Sequence, residues 1–372
     1  MMESDLASIA AEPASAPKLE LYGAKLEQAL QSGDPTDLKA FIDHGTQVCL
    51  RIALERLLPR AVSYDAQVAA LREALSAAYE RAGRWSEAAG SLAGVDDGGA
   101  DAPGALERSV RVADLYLRGG DAAAAEQYVK KAAQQAQSCA DAGLLLRYRA
   151  CQARVLDARC RFLEAATAFL ELSREPALES TSDALEALAA AVRCAVLSAA
   201  GARRSRLLAR LVKDDRTARL PTRALLEKVA LERLLSDRAE VASFAATLAP
   251  HQRATADDVP GAPTVLARAV LEHNLESASR LFTRVTVPGL ARLLGVSPAE
   301  AERAAARMAL EGRLAAEIDQ VAGVIEFGGH PGPAALRDQA LQDACVLASS
   351  LADRIGKGVG AVQGVGAVQA RA

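Results

Sequence analysis

The sequence predicts a mainly α-helical protein built from repeated helix pairs, with a smaller mixed domain behind them. Hydrophobic residues make up 51% of the 372 positions but aromatic residues only 3%, and the helix-favouring residues Ala and Leu dominate the apolar content. β-Sandwiches and barrels instead enrich Val, Ile, Thr and aromatic residues. The 24% of charged residues argues against a disordered chain, so a helical fold is expected.

The overall charge argues against a general polyanion binder. Lys and Arg number 44 against 47 Asp and Glu, a formal net charge of −3, so nucleic acid or an anionic membrane would have to be bound locally. The sequence has no apolar run of membrane-spanning length, and its first residues carry acids where a secretion leader would be basic and then apolar. Six scattered cysteines without metal-ligand spacing are typical of reduced thiols in a soluble cytosolic or nuclear protein.

An internal repeat of helix pairs occupies the larger part of the chain. Gly83 and Ala88 recur 37 positions later as Gly120 and Ala125, and Ala165 follows 40 positions after Ala125. The small alanine lets the two helices of a unit approach closely, and Gly suits the turn between them. Units of this period stack to bury their apolar faces. The pattern predicts a tetratricopeptide-like array.

A second domain is predicted where the segment PHQRATADDVPGAP interrupts the helical period. A helix follows Thr264, the segment VTVPGLARLLG is assigned to a short helix that Gly295 ends, and Ser297 with Glu300 forms a capping box that opens a further helix. The short segments LAAEI and GVIEF, separated by DQVA, suit a β-hairpin. Three helices and a hairpin predict a winged helix.

The chain is predicted to end in an amphipathic helix and a low-complexity tail. Behind the linker GGHPGP, apolar residues at helical spacing form one stripe, and the hexapeptide GVGAVQ then occurs twice. The predicted domain order is a disordered N-terminus (1–17), the helical-repeat array (18–255), the winged-helix part (262–328), the C-terminal helix (333–356) and the tail (357–372).

The sequence offers no catalytic, cofactor-binding or metal-binding motif. Its histidines, His44, His251, His273 and His330, lack an HExxH pattern, a paired carboxylate motif and a cysteine at metal spacing. An interaction protein is therefore favoured over an enzyme. A DNA-binding winged-helix regulator is the alternative of another class, but Glu and Arg residues balance on the helix that would enter the major groove.

One segment is locally basic despite the near-neutral total. Between residues 203 and 228, nine Lys and Arg residues stand against three acids, an excess of about six positive charges. Two interpretations stay open, namely solvated helix faces or a docking patch for an acidic partner. The candidate patch consists of Arg203, Arg204, Arg206, Arg210, Lys213 and Arg216.

Several sequence blocks resemble a known family. A helical array that runs into a winged helix is the plan of PCI-domain proteins, which occur in the proteasome lid, the COP-nine signalosome and translation initiation factor three. The blocks CQARVLDARCRFLEAATAFLELS (151–173), AVLEHNLESASRLF (269–282) and EGRLAAEIDQVAGVIEF (311–327) are similar to the subunit-four family of the signalosome, in the same order. The paralogous proteasome-lid family is the runner-up.

The resemblance implies a non-catalytic scaffold, nuclear and cytoplasmic, in the complex that removes a ubiquitin-like modifier from cullin-RING ligases. Its partners would be the other PCI subunits, the pair of MPN-domain subunits and the cullin-RING ligase as substrate, with no cofactor, nucleic acid or membrane. The protease site would lie in a different subunit. The implied subunit-interface candidates are Ile318, Val324, Ile325 and Phe327 of the hairpin, and Leu336, Leu347, Leu351 and Ile355 of the last helix.

Overall fold

The computed structural model describes residues 47–58, 65–95, 102–178, 181–255 and 263–328, together with the helical residues Leu21, Ala24 and Gln28. Helices dominate these ranges, and the β-strands lie in the last of them. The predicted mainly helical fold class is confirmed. Three predictions lie outside the described residues: the N-terminus 1–17, the C-terminal helix 333–356 with its four interface candidates, and the tail 357–372.

The described chain forms two compact units. One holds the residues up to Leu231 together with Asp237–Val270, and the other holds Glu232–Ser236 and the residues from Leu271 onward. No described helix combines the length and the apolar character needed to cross a membrane. The helices of the first unit are α1 (Gln47–Leu57), α2 (Asp65–Arg81), α3 (Trp85–Ala93), α4 (Ala102–Arg118), α5 (Ala122–Ala136), α6 (Ala142–Ala158), α7 (Phe162–Leu172), α8 (Ser182–Leu197), α9 (Ala202–Val212), α10 (Arg223–Ala230) and α11 (Arg238–Ala246), with 3₁₀ helices at Asp215–Arg219 and Pro250–Arg253.

Three helix pairs of this unit share one turn geometry. Gly83, Gly120 and Cys160, which follow α2, α4 and α6, have φ of +71°, +82° and +56°. In each turn, the amide of the next residue donates to the carbonyl five residues before it at 2.9 Å. Glycine adopts this left-handed conformation without a Cβ clash. The structure therefore explains why the glycine recurs at the predicted period, and Cys160 takes its place in the third pair.

The alanines of the repeat are buried between paired helices. Ala88, Ala125 and Ala165 are each 0% exposed, on helices α3, α5 and α7, which pack against α2, α4 and α6. Each pair also contacts the next pair along the chain. Protein interiors are close-packed and leave no room for larger side chains at these positions. The alanines therefore set the distance between the paired helices. The predicted helical-repeat array is confirmed.

The second unit is a winged helix. Its elements are α12 (Val265–Leu281, from Leu271 onward), β1 (Arg284–Thr286), α13 (Val287–Leu294), α14 (Pro298–Leu310), β2 (Ala316–Asp319) and β3 (Val324–Phe327). Strand β3 lies in the middle of an antiparallel sheet, between β1 and β2. Ile325 on β3 pairs with Val285 on one side and with Ile318 on the other. The predicted hairpin is thus formed by β2 and β3.

Strand β1 corrects the assignment of VTVPGLARLLG to one helix. Val285 and Thr286 pair with β3, and helix α13 begins only at Val287. The side chain of Thr286 caps that helix, since its Oγ1 accepts a hydrogen bond from Gly289 N at 3.2 Å. The strand is three residues long, and its partner strand lies far along the chain. Local periodicity therefore carried no signal for it.

Candidate interaction surfaces

The predicted basic patch divides into exposed and buried residues. Arg203, Arg206, Arg210 and Lys213 are exposed, whereas Arg204 is only 3% exposed. Successive helical residues point in different directions, so Arg204 lies on another face of α9 than the three exposed arginines of that helix. This corrects the prediction for Arg204, whose guanidinium does not lie on a surface that a partner could contact.

Arg204 joins α9 to the end of α8. Its Nε donates to Ala195 O at 3.1 Å and its Nη2 to Val196 O at 3.0 Å. These carbonyls lie in the last turn of α8, where the helix has no amide to satisfy them and where its dipole favours a cation. Arg204, Leu207, Leu208 and Leu211 are all buried, at the spacing of one helical stripe. That spacing is the sequence signal that separates Arg204 from its neighbours.

Arg216 is also part of the packing of the array. Its Nε and Nη2 donate to the two carboxylate oxygens of Asp214 at 3.0 and 2.8 Å, and its Nη1 donates to Ser173 O at 2.6 Å. The Arg216 guanidinium holds the pKa of Asp214 below its usual range. Arg216 therefore connects the 3₁₀ helix Asp215–Arg219 to the end of α7. Its side chain is 31% exposed, and its role as a docking residue stays a prediction.

The three exposed arginines of α9 line a groove of the helical array. The groove has a volume of about 480 Å³, and helix α9 contributes Arg203, Arg206, Leu207 and Arg210 to it. Helix α6 adds Gln152 and Leu156, and helix α7 adds Leu163, Glu164, Thr167, Ala168 and Glu171. The surface is thus partly apolar, with guanidinium groups along α9 and carboxylates along α7. Lys213 is exposed outside this lining.

A buried polar cluster joins helix α6 to the 3₁₀ helix Pro250–Arg253. Gln252 Nε2 donates to Asp157 Oδ1 and Oδ2 at 2.8 and 3.0 Å, and His251 Nε2 lies 3.1 Å from Asp157 Oδ2. Cys194 Sγ donates to Asp157 Oδ1 at 3.4 Å. Burial raises the pKa of the Cys194 thiol far above its usual range, and the neighbouring carboxylate adds to this. A nucleophilic cysteine needs the opposite shift.

The described residues contain no group of three or more His, Cys, Asp and Glu side chains that could hold a metal ion. Cys139, Cys151, Cys160 and Cys194 are free thiols.

The Asp157 cluster predicts a pH-dependent contribution to stability. Burial by itself would raise the pKa of Asp157, but the adjacent His251 and the hydrogen bonds from Gln252 outweigh it and hold the pKa below its usual range. A carboxylate of this kind stabilises the fold above its unfolded pKa and loses that contribution as pH falls through its folded pKa. We expect the wild-type chain to lose more stability than Asp157→Asn between about pH 6 and about pH 3.

Urea unfolding at the two pH values measures this difference. The other carboxylates titrate in both proteins, so the comparison reports Asp157 together with its contact to His251. Equal losses of unfolding free energy in the wild type and in Asp157→Asn would contradict the role of the charged carboxylate.

The winged helix places the predicted hairpin residues in two environments. Val324, Ile325 and Phe327 lie on the central strand β3 and are 9%, 0% and 5% exposed. Their side chains form the core of this unit, which corrects the prediction that they contact a neighbouring subunit. Ile318 lies on the edge strand β2 and is half-buried. Of the hairpin candidates, it alone is accessible in part.

Strand β2 directs backbone groups to the open edge of the described sheet. Gly328 N donates to Ala315 O at 3.0 Å, and hydrogen-bonded pairs alternate with non-bonded pairs along an antiparallel ladder. The N–H and C=O groups of Ala316 and Ile318 therefore point away from β3. An edge of this kind can accept another strand.

Two consecutive buried polar residues, His273 and Asn274, form a clamp inside the second unit. Asn274 Oδ1 accepts from Leu235 N at 2.7 Å, its Nδ2 donates to Leu235 O at 3.2 Å, and His273 Nε2 lies 2.8 Å from Arg233 O. The segment 232–236 is thereby bound to helix α12. Polar residues on an otherwise apolar helix face are the signal that could have identified this clamp in the sequence.

Repeated helix pairs followed by a winged helix define the class of PCI-domain proteins. A family model described as PCI domain matches residues 248–328, and one described as PSMD12/CSN4, N-terminal, matches residues 26–181.

Relatives from distant organisms share one name. COP9 signalosome complex subunit 4 of Arabidopsis thaliana is 35% identical over 378 residues, covering 91% of this chain and 94% of the relative. The protein of that name from Drosophila melanogaster is 35% identical over 325 residues, covering 86% and 77%. The one from Dictyostelium discoideum is 32% identical over 372 residues, covering 91% and 93%. The chain belongs to the family of COP9 signalosome complex subunit 4.

Proposed function

We propose that the chain is a non-catalytic scaffold subunit of a COP9 signalosome, joined to its neighbours through the winged helix. The observation that carries this proposal is similarity over nearly the full length of relatives named as subunits of that complex. The open edge of β2 supports it, because unpaired backbone groups on an edge strand bind another strand well.

The proposed partners are the other PCI subunits, the MPN-domain pair and cullin-RING ligases, which another subunit would free of their ubiquitin-like modifier. The complex would be nuclear and cytoplasmic. Within this proposal, the stripe Leu336, Leu347, Leu351 and Ile355 would enter a helical bundle shared with neighbouring subunits, as its helical spacing in the sequence favours. The relatives named for the signalosome favour this complex over the proteasome lid.

The edge of β2 gives a direct test of the assembly. Ala316→Pro should remove the chain from the complex without unfolding the winged helix, because proline deletes an N–H that points away from β3 and leaves the inner ladder intact. Ala316→Val keeps the N–H and is the matched control. We expect recovery of the other signalosome subunits with a tagged Ala316→Pro chain to fall by about tenfold, and recovery with Ala316→Val to equal the wild type.

Affinity purification followed by mass spectrometry measures the recovery, and circular dichroism of each purified chain checks the fold. Equal recovery with the proline and valine variants, both folded, would show that β2 is not the joining edge.

A further inference from the structure

We propose that the groove lined by Arg203, Arg206 and Arg210 binds an acidic segment of a partner protein, with an aliphatic side chain of that segment anchored between helices α6, α7 and α9. This site belongs to the helical array. The inference does not depend on the winged-helix assembly proposed above.

The charge along helix α9 favours an acidic partner. Arg203, Arg206 and Arg210 recur at helical spacing on one exposed face of α9. Within the described part of the chain, none of the three guanidinium groups forms a side-chain hydrogen bond or an ion pair, whereas Arg216 and Arg223 nearby each pair with a carboxylate. Three guanidinium groups in a row outnumber the two carboxylates of the groove lining and leave positive potential along α9, which favours an anionic partner.

The shape and polarity of the groove favour a partner segment with an aliphatic side chain. Leu156, Leu163 and Ala168 are half-buried, and they lie in the same groove of about 480 Å³ as the arginines. Covering water-exposed apolar surface with an aliphatic side chain lowers the free energy of binding. A segment that combines acidic residues with one Leu, Ile, Val or Met therefore fits both parts of the lining.

The remaining lining residues favour a protein segment over a nucleic acid. Glu164 and Glu171 lie on the α7 side, and Glu164 is paired with Arg161 at 2.6 Å. The carboxylate of Glu171 would repel a continuous phosphate backbone but leaves room for a segment with spaced acidic residues. None of the lining residues is aromatic, so the groove has no platform on which bases could stack. Gln152 and Thr167 add neutral groups that can bond a peptide backbone.

Selection of displayed peptides on the full-length chain tests the proposal. The probe is a phage library of random peptides of about 16 residues, long enough to cross a groove of this size. We expect the enriched peptides to be net negative and to share an aliphatic position. Fluorescence anisotropy then gives the affinity of the most enriched peptide.

Three variants separate the groove from general charge. The first is the triple reversal Arg203→Glu, Arg206→Glu and Arg210→Glu. The matched control, Lys213→Glu, Arg219→Glu and Arg238→Glu, makes the same charge change at exposed positions outside the groove lining. The third variant, Ala168→Trp, fills the groove without changing its charge. Circular dichroism and thermal unfolding check that each variant is folded.

We expect the groove reversal and Ala168→Trp each to weaken peptide binding by about tenfold or more, and the control to change it by less than about threefold. Raising the salt concentration should weaken wild-type binding more than binding to the groove reversal. The proposal is wrong if no acidic peptide is enriched, or if the control loses as much affinity as the groove reversal. Tighter, groove-dependent binding of a single-stranded oligonucleotide of about 12 nucleotides would assign the groove to nucleic acid instead.

Discussion

Arg313→Met should destabilise the winged helix by about 3–5 kcal/mol. Arg313 Nη1 lies 2.6 Å from Glu272 Oε2, and the side chain of Glu272 is 1% exposed. Burial by itself would lower the pKa of Arg313, but the carboxylates of Glu272 and Glu311 outweigh it and raise that pKa. Methionine keeps the apolar length of the side chain but leaves the buried carboxylate of Glu272 without its guanidinium partner.

Two further variants identify the cause of this loss. Glu311→Gln removes the exposed partner of Arg313 and should cost less than about 1 kcal/mol. The double variant Glu272→Met with Arg313→Met removes both buried charges and should recover much of the stability lost in the single variant. Hydrogen exchange of the β3 amides reports the local unfolding free energy. If Arg313→Met costs no more than Glu311→Gln, the buried pair does not stabilise this unit.

Arg204→Met should destabilise the helical array by about 2–4 kcal/mol, since two buried carbonyls, Ala195 O and Val196 O, lose charged donors. Methionine fills similar space, so the loss reports hydrogen bonds more than packing. The matched controls are Arg203→Met and Arg206→Met on the exposed face of the same helix, which should change stability by less than about 0.5 kcal/mol.

Urea unfolding and hydrogen exchange at the end of α8 measure both effects. Equal unfolding free energies for Arg204→Met and Arg206→Met would contradict the assignment of Arg204 to the packing of the array.

Local patterns in the sequence predicted much of the fold. The repeat of Gly83 and Gly120 predicted turns whose left-handed backbone favours glycine. The spacing of Ser297 and Glu300 predicted the capping box that opens α14, in which Ser297 Oγ accepts from Glu300 N at 3.3 Å and Glu300 Oε2 accepts from Ser297 N at 3.0 Å. These predictions are confirmed because the interacting groups are at most five residues apart in the sequence.

The features that were missed depend on distant contacts. Gln252 meets Asp157 across 95 positions of the chain, and the pairing of β1 with β3 is also distant in sequence. The prediction that Arg204 is a docking residue was wrong for a different reason. A count of charges along the sequence ignores the direction in which each side chain leaves the helix. Composition therefore located the exposed arginines and the buried one together, and only their positions around α9 separate them.

Purification of the tagged full-length chain from its own cells, followed by mass spectrometry, identifies the complex to which the chain belongs. We expect recovery of the other signalosome subunits, including both MPN-domain subunits, in amounts comparable to the tagged chain. Recovery of proteasome-lid subunits without any signalosome subunit would contradict it.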